Sequence, residues 1–324
     1  MARDLIDSAV GALLGTFVGD ALGMPAEGLT RQELHSKFGR LDSLREGKLP
    51  AGEYTDDTEM TLNVCEALLA EGEFNLQRVA HHLANTFTPW RGYSPHVYGI
   101  MARIRQGLEW ESPGTTSWGA GAATRVAPIG VLYAGDAVVA EHAARQAEIT
   151  HTHANGVAGA VAQAVAVSFA TEQGLVESRV IAEDLLGQLD DVLSDYSVAL
   201  GDALSRIHDL PRGGDVSELA AAIARVYPCD GTAVGTVPAA LAAFMLTEGF
   251  EEAVITAVNC GGDTDTLGAM TGALAGAFYG AGTIPERLTA GLSNDERGRD
   301  RVIALGERLG ALTRQRSGAR LEAE

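Results

Sequence analysis

The chain has 324 residues, of which 46% are hydrophobic, and no Pro/Ser-rich linker or charge block divides it. This length allows one large domain or two of ordinary size, and the even composition favours a single globular domain. The formal net charge of −19 argues against a nucleic-acid-binding surface, because phosphate binding needs clustered lysine and arginine.

The cysteines and the first residues bear on the cellular compartment. Cys65, Cys229 and Cys260 are odd in number and widely spaced, so they do not form a disulfide framework. Acidic residues precede the first apolar run, which is unlike a signal peptide. We therefore expect a reducing, cytoplasmic compartment.

The first predicted helix runs from Asp4 to about Leu22 and carries glycine at every fourth position. A second helix, predicted over 264–281, has the same spacing. The eight glycines are Gly11, Gly15, Gly19, Gly23, Gly268, Gly272, Gly276 and Gly280. Glycine costs about 1 kcal/mol in a helix relative to alanine, so close backbone packing must offset this cost. We expect both helices to be central and to pack through their glycine faces against a neighbour.

Two acidic residues follow or end the first helix. Asp20 lies near its end, and a buried acid there needs a partner. It is either a structural hydrogen-bonding residue or a support for a metal site. Pro25 and Gly28 then break the helix and place Glu27 on a loop. Such a carboxylate is usually solvated, but its position after a central helix makes it a candidate site residue.

Two clusters of threonine and aspartate stand before helical patterns, at 55–58 and at 263–266. A single such residue is enough to cap a helix N-terminus, and we expect Asp263 to cap its helix as well as to bind metal. The surplus carboxyl and hydroxyl oxygens favour a hard divalent cation, and no Cys/His pair has zinc spacing. The two clusters are expected to supply both halves of one site.

The segment from Phe87 to Gly121 is irregular, with three prolines and several glycines and aromatic residues. It is a candidate substrate wall, and a packed Ω-type loop is the alternative. The following turn, 119–130, offers backbone amides and Arg125, but its spacing matches neither known glycine-rich phosphate fingerprint. His151 and His153 lack a third zinc ligand, which favours polar roles.

The remaining sequence predicts successive helices and no useful alternating strand pattern. We expect them at about 177–193, 195–208, 216–226, 235–247, 249–259, 264–281 and 297–314. Thr266 to Pro285 carries no charge, but its Gly/Ala/Thr composition favours a buried helix over a membrane span. The fold class is therefore all-α, with a domain over 1–312 and a frayed tail over 313–324.

Together these motifs resemble the ADP-ribosylglycohydrolase family over nearly the whole chain. The resemblance is carried by the Gly11–Gly23 segment, Thr55-Asp56-Asp57-Thr58, the Gly119–Gly130 segment, Thr150-His151 and Gly261-Gly262-Asp263-Thr264-Asp265-Thr266. It implies a compact, single-domain, orthogonal bundle of helices with two Mg²⁺ or Mn²⁺ ions between the two acidic motifs.

The resemblance also implies roles for individual residues. The metal ligands would be Thr55, Asp56, Asp57, Asp263, Asp265 and Thr266. Glu27 corresponds to a loop glutamate near the reacting centre, and the positions lining the ADP-ribose cleft are Gly119, Gly121, Arg125 and His151. Ala120 and Thr124 depart from the asparagine and methionine frequent in the family, and Ala120 removes a side-chain amide from the cleft.

The implied activity is Mg²⁺-dependent cleavage of the glycosidic bond between ADP-ribose and a modified protein side chain or small molecule. Asp56, Asp57 or Glu27 would take the proton from water, and Asp265 would complete the catalytic group. The alternatives are a dinuclear hydrolase of another ribosyl or nucleotide substrate, and a non-catalytic ADP-ribose binder or crystallin-like structural protein. We expect a monomer without a membrane or nucleic-acid partner.

Overall fold

The computed structural model describes residues 4–107, 116–177, 180 and 182–323, with the backbone alone described for 319–323. Its α-helices are α1 (Leu5–Gly23), α2 (Arg31–Phe38), α3 (Asp56–Glu71), α4 (Leu76–Asn85), α5 (Pro95–Arg105), α6 (Gly121–Thr124), α7 (Ala127–Leu132), α8 (Val138–Glu148), α9 (Ala154–Val176), α10 (Ala182–Leu193), α11 (Val198–Ser205), α12 (Val216–Val226), α13 (Ala233–Met245), α14 (Phe250–Val258), α15 (Thr264–Tyr279), α16 (Glu286–Thr289) and α17 (Arg299–Ala323). Short 3₁₀ helices occupy Met24–Ala26, Pro89–Arg91, Arg206–Asp209 and Ala281–Thr283.

The all-α prediction is confirmed. Within the described ranges the only β-type pairing is an isolated antiparallel bridge between Gly119 and Thr232. One continuous apolar cluster reaches from Ala9 in α1 to Leu309 in α17. Most of the helices bury an apolar face in this shared core, and helical periodicity in the sequence predicts the all-α class for this reason.

The two glycine-bearing helices, α1 and α15, pack directly against each other in antiparallel directions. A Cβ added to Gly15 would lie 2.1 Å from the Gly272 carbonyl oxygen, and one added to Gly19 would lie 1.9 Å from that of Gly268. Every residue of α15 is buried, and α1 is buried from Ser8 onwards. The prediction of two central helices is confirmed, and each glycine face proves to be the other's neighbour.

Gly280 is the exception in this pattern. The helix α15 ends at Tyr279, and Gly280 follows it with φ of 83°, a conformation that favours glycine. The expectation that Gly280 belongs to the packed glycine face, with the helix running to 281, is therefore wrong. At the opposite end of the contact between α1 and α15, Gly23 packs against Thr264 and not against a glycine. A Cβ added to Gly23 would lie 2.1 Å from the Thr264 carbonyl oxygen.

The antiparallel contact also brings the end of α1 to the beginning of α15. Thr264 Oγ1 donates a hydrogen bond of 2.8 Å to the Gly23 carbonyl oxygen. This bond satisfies a carbonyl that the end of a helix leaves without an intrahelical partner. As a result, the last turn of α1, with Asp20, lies beside the second acidic motif.

Among the described residues, two helical segments are long and apolar enough to cross a membrane, Leu5–Ala26 and Ala154–Val176. In both, 83% of the most hydrophobic window is buried inside the protein, as for core helices of soluble proteins. The uncharged stretch 266–285 does not form one continuous helix, since α15 ends at Tyr279.

The chain beyond residue 312 continues α17 to Ala323. Thr313 is buried, and its hydroxyl lies within hydrogen-bond distance of the Leu309 and Val131 carbonyl oxygens. The expected domain boundary at 312 thus falls inside this helix. The sequence of the tail is polar, but its first turn still packs against the body of the protein.

Candidate metal centre and substrate cleft

A cleft of about 240 Å³ contains most of the residues singled out in the sequence. Glu27, Asp56, Asp57, Asp263, Asp265 and Thr266 line one part, and Gly119, Gly121, Arg125 and His151 line another. A larger cavity of about 680 Å³, lined by residues of 177–256, contains none of them. The acidic motifs, Arg125 and His151 all contribute to the smaller cleft, so the volume of a cavity alone does not identify the site.

The first acidic motif begins helix α3. Thr55 is its N-cap, with Oγ1 accepting a 3.3 Å hydrogen bond from the Asp57 amide. Asp20, fully buried, accepts from the Thr55 amide at 3.0 Å, the Thr58 amide at 3.1 Å and the Thr58 hydroxyl at 2.6 Å. Asp20 is therefore a structural hydrogen-bonding residue that holds the first acidic motif in place, and its role as a support for a metal site stays a prediction.

The second acidic motif begins helix α15, and its local geometry differs from expectation. Asp263 occupies the N-cap position, but its side chain accepts no capping hydrogen bond. Its backbone amide donates to the Cys229 carbonyl oxygen at 2.8 Å, and its ψ of 70° is not that of a standard cap. The prediction that Asp263 caps the helix is wrong. Instead, its carboxylate lines the cleft.

The two motifs meet through side chains. Thr266 Oγ1 donates a 2.9 Å hydrogen bond to Asp57 Oδ2, and the Thr266 amide donates to Asp265 Oδ1 at 3.0 Å. One oxygen from each of Glu27, Asp263 and Asp265 lies within 4.8 Å of the others. This is the separation at which three carboxylates can share one cation.

Backbone pairing explains why Glu27 reaches this cluster. The Gly28 amide donates to the Gly262 carbonyl oxygen at 2.8 Å, and the Gly262 amide donates to the Leu29 carbonyl oxygen at 2.7 Å. The loop after α1 is thus tied to the loop before α15. Glu27 lies at the mouth of the cleft with 37% of its side chain exposed, whereas the Asp265 side chain is only 4% exposed.

The acidic residues raise one another's pKa. Burial and then the Asp265 charge raise the pKa of Asp56 to about 8 and that of Asp20 to about 7. The same two causes raise the pKa of Glu27 and, well above the usual range, that of Asp263. Burial, followed by the Asp56 charge, does the same for Asp57. Full ionisation of the cluster would therefore place more negative charge there than its surroundings compensate.

One basic side chain enters the acidic cluster and was missed in the sequence. Lys48 Nζ contacts the Glu27 carboxylate and lies 3.3 Å from Asp265 Oδ2. Burial alone would lower the pKa of Lys48, but the charges of Asp265 and Glu27 outweigh it and raise this pKa. Its only sequence signal is its position in the Gly/Pro-rich loop that leads to Thr55.

The opposite part of the cleft is built around Arg125. Its Nε donates to Gln146 Oε1 at 2.7 Å, and its Nη2 donates to the Gln146 carbonyl and Thr150 Oγ1, both at 2.9 Å. The guanidinium is buried, and this burial lowers the pKa of Arg125 to about 10. Neutral oxygens thus orient the guanidinium without cancelling its charge.

Two histidines accompany this arginine. His151 Nδ1 lies 2.8 Å from Thr150 Oγ1, and the ring centroids of His151 and His96 are 5.9 Å apart. Burial, followed by the Arg125 charge, lowers the pKa of His151 to about 3, so it is neutral at pH 7. His96, which the sequence did not single out, lines the cleft with a buried Nε2 that has no partner among the described residues.

The glycine turn at 119–121 is fixed by backbone contacts. The Ala120 amide donates to the Gly231 carbonyl oxygen at 2.8 Å, and the Ala233 amide donates to that of Trp118 at 2.9 Å. Ala120 lines the cleft but is almost fully buried. Its small side chain therefore leaves Gly119 and Gly121 beside His151 without adding a polar group.

Part of the irregular segment 87–121 also lines the cleft. Besides the glycine turn at 119–121, the contributing residues are Gly92, Ser94, His96, Val97 and Ser117. The segment is more regular than the sequence suggested, since Pro95–Arg105 is helical. Residues 108–115, which include Trp110, lie outside the described residues.

Comparison with known proteins agrees with the motifs. The family model described as ADP-ribosylglycohydrolase matches residues 1–319. An uncharacterized protein of Archaeoglobus fulgidus is 35% identical over 306 residues, covering 88% of this chain and 91% of the relative. ADP-ribosylhydrolase ARH3 of Homo sapiens is 30% identical over 322 residues, covering 85% of this chain and 86% of the relative.

A solved structure supports the same assignment. The chain is similar to one in an "ADP-ribosylglycohydrolase-related protein complex", with a TM-score of 0.74 and 29% sequence identity. The alignment covers 96% of this chain and 99% of that one. Since the family model spans nearly the whole sequence, the chain belongs to the ADP-ribosylglycohydrolase family.

Proposed function

We propose that this protein is a Mg²⁺-dependent hydrolase that cleaves the glycosidic bond between ADP-ribose and a modified protein side chain or small molecule. The observation that carries the proposal is the meeting of two acidic motifs, at Asp57 and Thr266, in a cleft that also contains Arg125 and His151. The ADP-ribosylhydrolase activity for which the ARH3 relatives are named supports the proposal.

The donor set fits hard divalent cations. Thr55, Asp56, Asp57, Asp263, Asp265 and Thr266 offer only oxygen atoms, as Mg²⁺ and Mn²⁺ prefer. The close oxygens of Glu27, Asp263 and Asp265, together with the raised pKa values, indicate negative charge that a cation would neutralise. We propose two Mg²⁺ ions, with Mn²⁺ as a substitute. When bound, they supply the charge that orients substrate hydroxyls and activates water.

The acidic side chains have distinct roles in this proposal. Asp57 is held by Thr266 and is suited to a fixed ligand. Glu27 lies at the mouth of the cleft, where it can exchange a proton with solvent, and its raised pKa suits a proton acceptor. The surrounding carboxylates would stabilise the positive charge that develops on the ribose ring in an oxocarbenium-like transition state.

The basic part of the cleft would receive the rest of the ADP-ribosyl group. Arg125 keeps its charge in a neutral hydrogen-bonding environment and is suited to an anionic diphosphate. Neutral His151, which lies beside Gly119 and Gly121 of the glycine turn, can donate or accept hydrogen bonds. All these groups come from one chain, so the proposed site needs no second copy.

The test is a panel of arginine-linked, serine-linked and O-acetyl-linked ADP-ribose with Mg²⁺. We expect release of free ADP-ribose from at least one linkage, abolished by EDTA. Asp265→Ala should reduce the rate by about 100-fold or more, given the size of metal-ligand effects on catalysis. Asp184→Ala, at an exposed position of α10, should leave it unchanged. Full activity in EDTA, or ADP-ribose binding without turnover of any linkage, contradicts the proposal.

A further inference from the structure

Lysine is rare among the basic residues of this chain. It contains 22 arginines but only two lysines, Lys37 and Lys48. One of these two, Lys48, places its ammonium against Glu27 and Asp265, two carboxylates that line the cleft. An ammonium is a compact point charge with rotatable donors, whereas a guanidinium is a planar fork. The residue beside these carboxylates thus carries the basic side chain that most resembles a metal ion.

The contacts of Lys48 are made to residues of the proposed metal centre. Its ammonium contacts Glu27 and lies 3.3 Å from Asp265 Oδ2. A Cβ added to Gly92 would be 2.9 Å from Lys48 Nζ and 3.4 Å from Asp56 Oδ1, which places the ammonium near Asp56 too. Among the ion pairs of the described residues, Glu27 and Asp265 have Lys48 as their partner.

The backbone around Lys48 is positioned by packing. A Cβ at Gly47 would lie 2.6 Å from Pro25 Cα, so this loop packs tightly on the turn that carries Glu27. The Gly47 amide donates to the Leu49 carbonyl oxygen at 3.0 Å, and Leu49 is buried. The loop that carries Lys48 is therefore packed against the turn that carries Glu27, one of its two carboxylate partners.

We propose that Lys48 is a built-in counter-cation that competes with the divalent cation for the Asp265 and Glu27 carboxylates. Metal binding requires the ammonium to leave Asp265 Oδ2, which lowers the affinity for metal. The same ammonium offsets repulsion among the carboxylates and stabilises the protein without metal. This inference rests on the proposed function, since it concerns regulation of the same site.

Lys48 should thus weaken metal binding and stabilise the metal-free protein. Both effects can be measured without substrate. Titration calorimetry with Mn²⁺ or Mg²⁺ alone should show tighter binding to Lys48→Met, by about tenfold, because one like charge near the ion is removed. Thermal unfolding in EDTA should occur at a lower temperature for this variant than for the unmodified protein. Lys48→Gln should behave in the same way, which separates the loss of charge from the added apolar surface.

Two further variants complete the design. Lys37→Met removes the other lysine, whose ammonium lies over the Phe38 ring 4.7 Å from its centroid, and should change neither quantity. Lys48→Arg should bind metal no more tightly than the unmodified protein, because a guanidinium can hold carboxylates through two donors. Equal or weaker metal binding by both Lys48→Met and Lys48→Gln would overturn the proposal.

A second readout follows the ammonium itself. Reductive methylation with ¹³C-formaldehyde labels the two lysines and the terminal amine while keeping their charge. We expect the Lys48 methyl signal to shift as Mg²⁺ saturates the protein and the Lys37 signal to stay in place. A Lys48 signal that does not respond to saturating Mg²⁺ contradicts the displacement.

These results are separate from those on the reaction. If the protein binds metal but releases no ADP-ribose from any linkage, the proposed function fails, while the calorimetric comparison still supports or overturns the role of Lys48. If Mg²⁺-dependent hydrolysis is present and the Lys48 variants bind metal as the unmodified protein does, the role of Lys48 alone is overturned.

Discussion

Thr266 Oγ1 donates a hydrogen bond to Asp57 Oδ2 across 2.9 Å, although the two residues are 209 positions apart in the chain. Asp57 belongs to the first turn of α3 and Thr266 to the first turn of α15. Both helix N-termini therefore point into the same cleft, where their dipoles favour the negative charge of the carboxylates. This bond fixes one oxygen of a carboxylate whose pKa is raised by the charges of its acidic neighbours.

Asp57→Asn should stabilise the metal-free protein and abolish metal-dependent hydrolysis. Burial and the neighbouring carboxylates raise the pKa of Asp57, so this carboxyl group makes the folded state less stable as pH rises above the ordinary aspartate value. Asparagine keeps the shape and removes this charge. We expect the midpoint of thermal unfolding in EDTA to rise by about 3 °C or more. Asp184→Asn is the control on an exposed helix face, and a lower midpoint for Asp57→Asn contradicts the reasoning.

The raised pKa values of the acidic cluster should also make the stability of the metal-free protein depend on pH. Asp20 and Asp56 have pKa values raised to about 7 and about 8, so the folded state holds more protons than the unfolded state near neutral pH. Stability in EDTA should therefore fall as pH rises from about 6.5 to 8.5. Saturating Mg²⁺ should reduce this slope because the cation stabilises the ionised carboxylates. Urea unfolding at several pH values, with and without Mg²⁺, measures both slopes, and equal slopes would argue against metal binding here.

His151 should make the protein sensitive to acid. Its pKa is lowered from 6.5 to about 3 by burial and by Arg125, so between these values the unfolded state binds the proton and the folded state does not. The stability that His151 contributes is complete above pH 6.5 and is lost as pH falls towards 3. His151→Gln should remove about one proton from the pH dependence in this window. Urea unfolding of the unmodified protein and of His151→Gln should be measured across this pH window. The difference in stability between the two proteins reports His151 separately from the carboxylates. An identical pH dependence in both would show that His151 titrates normally.

The contact between α1 and α15 gives a stability prediction that needs no ligand. Gly15→Ala would place its Cβ 2.1 Å from the Gly272 carbonyl oxygen, so the helices must move apart. We expect a loss of about 3 kcal/mol or more, the range of severe overpacking. Gly187→Ala, in α10 with no atom within 4 Å of the added Cβ, should stabilise by about 1 kcal/mol. Denaturant unfolding measures both, and a neutral Gly15→Ala would show that the contact can relax.

The parts of the site that the sequence predicted are those with a local signature. The clusters at 55–58 and 263–266 combine an excess of oxygen side chains with a helix start, and spacing of four made the glycine faces visible. These features depend on residues close together in the chain. Asp20 was also recognisable, because a carboxylate inside a central helix needs hydrogen-bond donors.

The parts that it did not predict depend on how loops pack. Lys48 reaches the carboxylates because Gly47 lies against Pro25, and nothing periodic marks such a contact. His96 belongs to an irregular segment whose helix, α5, carries it to the cleft. Asp263 has the residue type of a helix cap, but the hydrogen bond of its amide to Cys229 turns its carboxylate elsewhere. Residue type alone does not reveal these alternatives.

The facing glycines of α1 and α15 have a consequence for how the sequence can vary. At most core positions, a larger side chain can be accommodated when its neighbour becomes smaller. At Gly19 and Gly268, each added Cβ would meet the backbone of the other glycine, at 1.9 Å and 2.2 Å. Neither partner has a side chain left to shorten. A second substitution at the facing position therefore cannot rescue the first, and a selection for suppressors of Gly19→Ala should return changes elsewhere or reversion to glycine.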